Sequence, residues 1–282
     1  MQLPTRNDMI DVVVGVMSVP KDHFRSLILV DTKEDGTTVS TVDKQINDRL
    51  LEWSRRYQDV GFIGEEGNDY HGEDYILCAD PLDGSDAFAG GNGNVGIALT
   101  RLCRIAHNLW LPEITVVADP LHNMVWTASQ DEQTVVARLD RGQMTRQQCQ
   151  TTDRSPRRVT ISTWPGVPFH LDEVQREVMR RREQYFQQEF GCILIPSALV
   201  ASCLWQATVF AGSGATESIA TSLLVQQAGG VAVDCYGQPL IHFKLGERYG
   251  KVDFILEDGA IMAANQSIAD DLVRLIHSKQ AA

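Results

Sequence analysis

A mixed α+β fold is what the sequence predicts, and three observations carry that prediction. Residues 42–57 place Ile46, Leu50 and Trp53 on one stripe with charged residues between them, the spacing of an amphipathic helix. Two short apolar runs follow, Val60-Gly61-Phe62-Ile63 and Tyr75-Ile76-Leu77-Cys78-Ala79, and each stops abruptly at acidic residues. These read as buried strands that deliver carboxylates at their C-terminal ends. Residues 95–99, 114–118 and 124–127 continue the strand series, with Asp119-Pro120-Leu121-His122-Asn123 as a turn between the last two, which makes this section mostly antiparallel.

The remaining elements follow in order. Residues 140–158 are polar and rich in Arg, Gln and Thr, and read as a junction between an N-terminal lobe, 1–150, and a C-terminal lobe, 151–282, of one domain. Beyond it the pattern predicts a strand at 159–161 and a charged helix over 171–190. A buried strand at 193–195 and a buried helix over 198–209 come next, then a helix over 215–228 that Gly229-Gly230 stops. A strand at 231–233 and a helix over 267–277 complete the chain, in which no internal repeat is visible.

Composition limits the function. The 282 residues hold 37 Asp and Glu against 25 Lys and Arg, a formal charge of −12, and 43% are hydrophobic, which is ample for a packed core. With no basic run, a nucleic-acid polymer or an anionic membrane is excluded as a partner, since both need clustered Lys and Arg. Residues 191–216 carry no charge and are long enough to span a bilayer, but Pro196, Ser197, Gln206, Gly212 and Gly214 interrupt them. The six cysteines form no CxxC pair and the seven histidines no HxH or HxxxH pair, so buried reduced thiols are expected and a histidine-built zinc site is not. The N-terminus lacks a signal-peptide pattern, and the expected setting is cytoplasmic.

The most informative segment is Asp80-Pro81-Leu82-Asp83-Gly84-Ser85-Asp86, directly after a predicted strand. Two carboxylates three residues apart, with a proline fixing the backbone between them, can point into one small space. Glu65 and Glu66 end the preceding strand, so if the two strands are neighbours three or four carboxylates converge. Like charges that close repel unless a cation sits among them, and an all-oxygen set suits Mg2+ or Mn2+. Gly84-Ser85 then reads as a strand-to-helix turn presenting backbone N–H groups to an anion, and metal beside an anion site implies phosphoryl chemistry.

Ile63-Gly64-Glu65-Glu66 and Asp80-Pro81-Leu82-Asp83-Gly84-Ser85 resemble the GEE and DPxDG(T/S) motifs of the inositol monophosphatase and fructose-1,6-bisphosphatase superfamily, in the expected order and approximate spacing. Val39-Ser40-Thr41-Val42-Asp43 is similar to that superfamily's V-T-x-x-D segment. Its third signature, W-D-x-A-A-G followed by E-A-G-G, is altered. Counting back from Ala228-Gly229-Gly230 puts Thr216-Glu217 where Trp-Asp is usual, and residues 197–217 look shorter than in inositol monophosphatases. The resemblance runs from about residue 33, where Lys33 reads as a surface lysine, to the C-terminus.

The resemblance implies a layered α-β-α-β-α sandwich and a homodimer. It also implies a Mg2+-dependent phosphomonoesterase acting on a small sugar, polyol or inositol monophosphate, by in-line attack of a metal-activated water. Glu65, Asp80, Asp83, the Leu82 carbonyl and Glu217 are the implied ligands of two or three Mg2+ ions, with Mn2+ possible. Backbone N–H groups of Gly84, Ser85 and Asp86 are the implied phosphate site; Glu65 or the Ser85 hydroxyl, oriented by Asp43, takes the proton. Simpler roles stand beside these: Asp80 and Asp83 as helix caps, Asp43 as a first-turn helix acid, Glu66 and Glu217 as ordinary solvated residues. The Asp86 side chain is unassigned. Gly91-Asn92-Gly93-Asn94-Val95-Gly96 spells GxGxxG but leads into a strand and not a helix, so it is no dinucleotide fingerprint. Rival functions are a 3'(2'),5'-bisphosphate nucleotidase and a metal-binding regulator with weakened turnover.

Overall fold

A computed structural model describes residues 2–26, 30–32, 38–140, 143–163, 171–211, 215–248 and 250–280; Lys33, Gly212 and Gly214 lie outside them. The chain opens with α1 (Arg6–Val16), α2 (Ser18–His23), the antiparallel pair β1 (Val30–Thr32) and β2 (Thr38–Ser40), and α3 (Thr41–Ser54). Next come β3 (Val60–Gly64), β4 (Gly67–Asp69), β5 (Tyr75–Asp83) and the one-turn α4 (Ser85–Ala89). A meander follows: β6 (Gly96–Ala106), β7 (Leu109–Asp119), β8 (Met124–Ser129), β9 (Glu132–Asp140) and β10 (Gln143–Gln148). The second half holds β11 (Arg157–Thr163), α5 (Leu171–Arg180), β12 (Tyr185–Gln187), α6 (Leu194–Ala201), β13 (Ala207–Ala211) and α7 (Ala215–Gln227). It ends with β14 (Val231–Val233), β15 (Phe243–Arg248), β16 (Lys251–Ile255), β17 (Ala260–Ala263) and α8 (Gln266–Gln280).

The strands form a large sheet in the order β10-β9-β8-β7-β6-β5-β3-β4, with β15 and β16 joined at the start of β7, and a smaller sheet in the order β12-β11-β13-β17-β14. Period-two alternation splits the large sheet's side chains between two cores. Val116, Ala118 and Val125 face α1 and α3, whereas Val117, Trp126 and Ala128 face α6 and α7. The smaller sheet closes over α6 and α7 from the other side and carries α5 and α8 on its outer face. The result is the expected α-β-α-β-α layering. Because α7 lies between two sheets, every residue from Ala215 to Val225 is buried, and apart from Glu217 these are apolar or small all round. Two of its hydroxyls turn back on their own helix, Thr221 Oγ1 donating to the Glu217 carbonyl at 2.7 Å and Ser222 Oγ to that of Ile219 at 3.0 Å.

Most of the first half matches the expectation; the second half differs in four places, one of them the strands β15, β16 and β17, where the sequence reading placed no element. The polar stretch read as a junction contains β10, an edge strand paired to β9 whose exposed Thr145, Arg146, Gln147 and Gln148 explain its composition. The helix expected over 171–190 ends at Arg180 once Leu171, Val174 and Val178 have filled the apolar face, and Tyr185 starts β12, parallel to β11. The expected strand 193–195 and helix 198–209 are α6 followed by β13. Helix formation begins early because an acceptor outside the helix takes the Ile193 and Leu194 N–H groups, and Pro196 falls in the first turn, where no N–H is needed. Ala207–Ala211 then pairs parallel to β11 and antiparallel to β17.

Other expectations hold. All six cysteines are free thiols, four of them buried and Cys103 and Cys203 only partly so. The GxGxxG-like loop leads into β6, and Asn265 caps α8 by accepting from Ile268 N–H at 3.0 Å. Among the described residues no helix is long and apolar enough to cross a membrane.

Candidate active site

Parallel pairing of β3 and β5 sets Gly64 opposite Ala79, so Glu65, just past the end of β3, and Asp80, within β5, follow paired residues on neighbouring strands. Gly64 is required there, since a Cβ would lie 2.3 Å from Asn47 Oδ1. Asn47 is buried on α3, one turn after Asp43, so the same helix face touches both acidic motifs. From across the sandwich the first turn of α7 brings in Glu217. Carboxylate oxygens of Glu65, Asp80 and Glu217 lie within 4.8 Å of one another; Asp80 and Glu217 are buried and Glu65 is exposed. Asp80 is further oriented by the Leu82 N–H, which donates to its Oδ1 at 3.0 Å.

Asp83 stands apart from this trio. Its Oδ2 accepts from Ile193 N–H at 2.6 Å and Leu194 N–H at 2.5 Å, capping the start of α6. Burial pushes its carboxyl up to about 7, the two amides pull the other way, and the charge of nearby Glu65 adds to the rise. A cation among these oxygens would favour the ionised form instead. The helix-cap alternative therefore holds for Asp83, in a carboxylate that also adjoins the cluster.

After β5 the backbone turns through Gly84 at φ +88°, where a Cβ would sit 2.9 Å from that of Cys192 and 3.0 Å from the Asn94 and Gly191 carbonyls. The first bond of the α4 turn runs from Phe88 N–H to the Gly84 carbonyl at 2.9 Å, so the N–H groups preceding Phe88 have no acceptor within the helix. Ser85 Oγ hydrogen-bonds to Asp43 Oδ1 and lies 2.8 Å from the Leu82 carbonyl. Asp43, fully buried, accepts from Ser40 N–H at 2.9 Å and from the Ser40 hydroxyl through Oδ2. It is thus a capping-box acid of α3 and a partner of Ser85 at once. The Asp86 side chain is exposed. Burial raises the thiols of Cys78 and Cys192, near the cluster, well above their ordinary range and keeps them neutral.

Two contributors escaped the sequence reading. Asn47 carried a usable signal, an amide four residues after Asp43 inside an apolar stripe. The Ile193 and Leu194 amides carried none, because only the fold brings them to Asp83.

The trio fits a divalent cation on its donor chemistry. Three carboxylate oxygens in so small a space, two of them on buried residues, repel one another, and hard oxygen donors are what Mg2+ and Mn2+ take.

Comparison with known proteins agrees. The model of the Inositol monophosphatase family matches residues 6–281. The fold is similar to that of an IMPase from Thermotoga maritima, at 18% identity, 96% of each chain covered and a TM-score of 0.76. It is also similar to the extragenic suppressor protein suhB from Bartonella henselae, at 19% identity, with 96% of this chain and 97% of that chain covered and a TM-score of 0.77. Among curated proteins none matches the sequence. Taken with its two acidic motifs and its five layers, the match over nearly the whole length means that the chain belongs to the inositol monophosphatase family and is a phosphoric monoester hydrolase.

Proposed function

We propose that the protein hydrolyses a small sugar, polyol or inositol monophosphate in a Mg2+-dependent reaction, in one catalytic unit to which both halves of the chain contribute. The observation that carries this reading is the meeting of Glu65, Asp80 and Glu217 oxygens within 4.8 Å, beside the Gly84-Ser85 turn. Glu65, Asp80 and Glu217, with Asp83 and the Leu82 carbonyl alongside, would hold Mg2+, and Mn2+ suits the same donors. Bound there, the cation supplies positive charge for the phosphoryl oxygens and the leaving alkoxide and makes water a stronger acid.

The chain's own groups do the rest. Backbone N–H groups of Gly84, Ser85 and Asp86 orient the phosphate, in a turn where the helix itself leaves donors unused. The Ser85 proton points at Asp43 or the Leu82 carbonyl, which turns a lone pair of Ser85 Oγ outward to accept a hydrogen bond from the attacking water. Asp43 is held by Ser40 on its other oxygen, so Ser85 keeps one orientation. Glu65, exposed at the cluster's edge, is the group placed to take the proton. Glu217 replaces the usual aspartate yet reaches the cluster, which favours a working site over a weakened regulator. The family resemblance further supports a homodimer in a cytoplasmic setting.

The test is a phosphate-release screen over sugar phosphates, inositol phosphates and nucleotides, with and without Mg2+. Turnover of a sugar or inositol monophosphate that stops when EDTA is added supports the reading. Turnover confined to 3',5'-bisphosphoadenosine would reassign it to a nucleotidase, and no turnover on any substrate would reject it.

A further inference from the structure

The strands nearest the site lie in the order β3-β5-β6-β7, and the edge that carries Asp83 continues beyond it. Asp83 pairs with Gly96 and Ile97 with Ala118, so Asp119, at the end of β7, comes level with Asp83 two strands away, or about 10 Å. Two residues on from Val117, it shares the side that faces α6. Burial, and then the charges of Asp83 and Asp119, hold the Cys192 thiol up, so both carboxylates lie near the residue that packs on the Gly84 turn.

Asp119 is 4% exposed and turns both of its oxygens to His122. Oδ1 accepts from the His122 N–H at 3.0 Å, and Oδ2 lies 2.8 Å from the imidazole Nδ1. A carboxylate only accepts, so Nδ1 carries the proton and Nε2 is the acceptor of the neutral ring. The His122 side chain is 63% exposed, and its Nε2 has no hydrogen-bond partner among the described residues. Capping the turn needs only the first of these bonds, and an exposed pair adds little stability; what the second bond fixes is the direction of the ring. The turn itself is anchored. The Asn123 carbonyl accepts from Leu139 N–H at 2.8 Å and its Oδ1 from Lys21 Nζ at 2.6 Å, while Leu121 packs on Gly93 in the loop that leads from α4.

Sheet order gives this histidine a direction relative to the reaction. In the reading given above, water attacks from the side of Glu65 and Ser85, and the attacking and leaving oxygens at phosphorus stand in line. Glu65 follows β3 and the phosphate turn follows β5, so the alcohol departs toward β6 and β7, where Asp119 and His122 stand. A three-carbon alcohol ends short of a group two strands away, whereas an extended six-carbon chain covers the distance. We propose that His122 is a specificity-determining residue, its Nε2 accepting a hydrogen bond from a hydroxyl at the far end of the leaving alcohol and so favouring six-carbon polyol and sugar phosphates over three-carbon ones. Asp119 is the positioning residue behind it. The proposal rests on the Gly84-Ser85 turn being the phosphate site.

The experiment is steady-state hydrolysis by the full-length protein with Mg2+, comparing glucitol 6-phosphate with glycerol 3-phosphate. Wild-type protein should favour the glucitol ester. His122→Phe, which keeps a ring but no nitrogen, should lower the ratio of the two kcat/KM values by about tenfold, mainly through KM for the longer ester. His122→Gln returns an acceptor oxygen and should restore part of the ratio. Nitrogen-15 NMR should find the neutral His122 ring protonated on Nδ1, and Asp119→Asn should move that proton to Nε2 and lower the ratio severalfold. The same ratio in wild type and His122→Phe would overturn the proposal. So would an equal fall for n-hexyl phosphate, which has the length without the hydroxyls, or a preference for gluconate 6-phosphate over glucitol 6-phosphate that His122→Phe removes, since His122 would then serve a carboxylate. No turnover of any of these esters would reject the small-alcohol substrate reading, and this proposal with it.

Discussion

The two sides of the carboxylate cluster are built by different means. Glu65 and Asp80 follow Gly64 and Ala79 on adjoining parallel strands, and the pairing of those two residues fixes their separation. Glu217 arrives from the first turn of α7, a helix held between two sheets, so its place depends on how the whole sandwich packs. One side is set by local register and the other by tertiary fit.

Substitutions on each side should separate the two. Within the trio the larger effect is expected from Asp80→Asn, which keeps the shape and the Leu82 contact but removes a buried charge. Phosphate release should fall by about a thousandfold with little change in Tm, as fits loss of charge stabilisation where charge develops. Glu217→Gln should cost less, about a hundredfold, and added Mg2+ should recover part of it, because two carboxylates of the trio remain. A loss in Glu217→Gln equal to that in Asp80→Asn would show that both sides are equally indispensable.

Asp83 tests the link between the sides, since it leaves β5 and caps α6. Asp83→Asn retains an acceptor oxygen for the amides and should abolish Mg2+-dependent turnover while the fold persists. Asp83→Ala loses the cap as well, and thermal unfolding should show about 1–2 kcal/mol less stability than in Asp83→Asn. Equal Tm values in the two would remove the capping role.

The smallest effect concerns the outer layer, far from the site. Asp271 on α8 is opposed by burial but held below the ordinary carboxylate range by hydrogen bonds from Arg157 and Arg274. Its folded pKa is depressed, so its contribution is present above the unfolded pKa and fades as pH falls from about 4 toward the folded value. Both partners are partly exposed, so Arg157→Met should flatten the acid limb of the stability profile by about 0.5 kcal/mol or less.

The same contrast governs what the sequence made legible. The strand side could be read because its determinants are local: apolar runs ending in acids, a proline between two aspartates, and a glycine turn. Asp43 and Ser85 were legible for the same reason. In the second half, 193–195 looks like a strand and 198–209 like a helix until Asp83, more than a hundred residues earlier, supplies the cap that starts α6. Residues 207–211 are as apolar as a buried helix, and only pairing with β11 and β17 makes them a strand. Edge strand β10 was invisible because exposure makes its composition polar. Glu217 was legible only by counting back from Gly229-Gly230, the one local mark near it.

The central claim is that Glu65, Asp80 and Glu217 form a divalent-cation site, and titration of metal-free protein with Mn2+, followed by the electron paramagnetic resonance of the free ion, tests it without reference to any substrate. Wild-type protein should bind Mn2+ saturably, Mg2+ should compete for the same site, and Asp80→Asn should weaken binding by about a hundredfold. Binding of equal strength and stoichiometry in Asp80→Asn and Glu217→Gln would contradict the account.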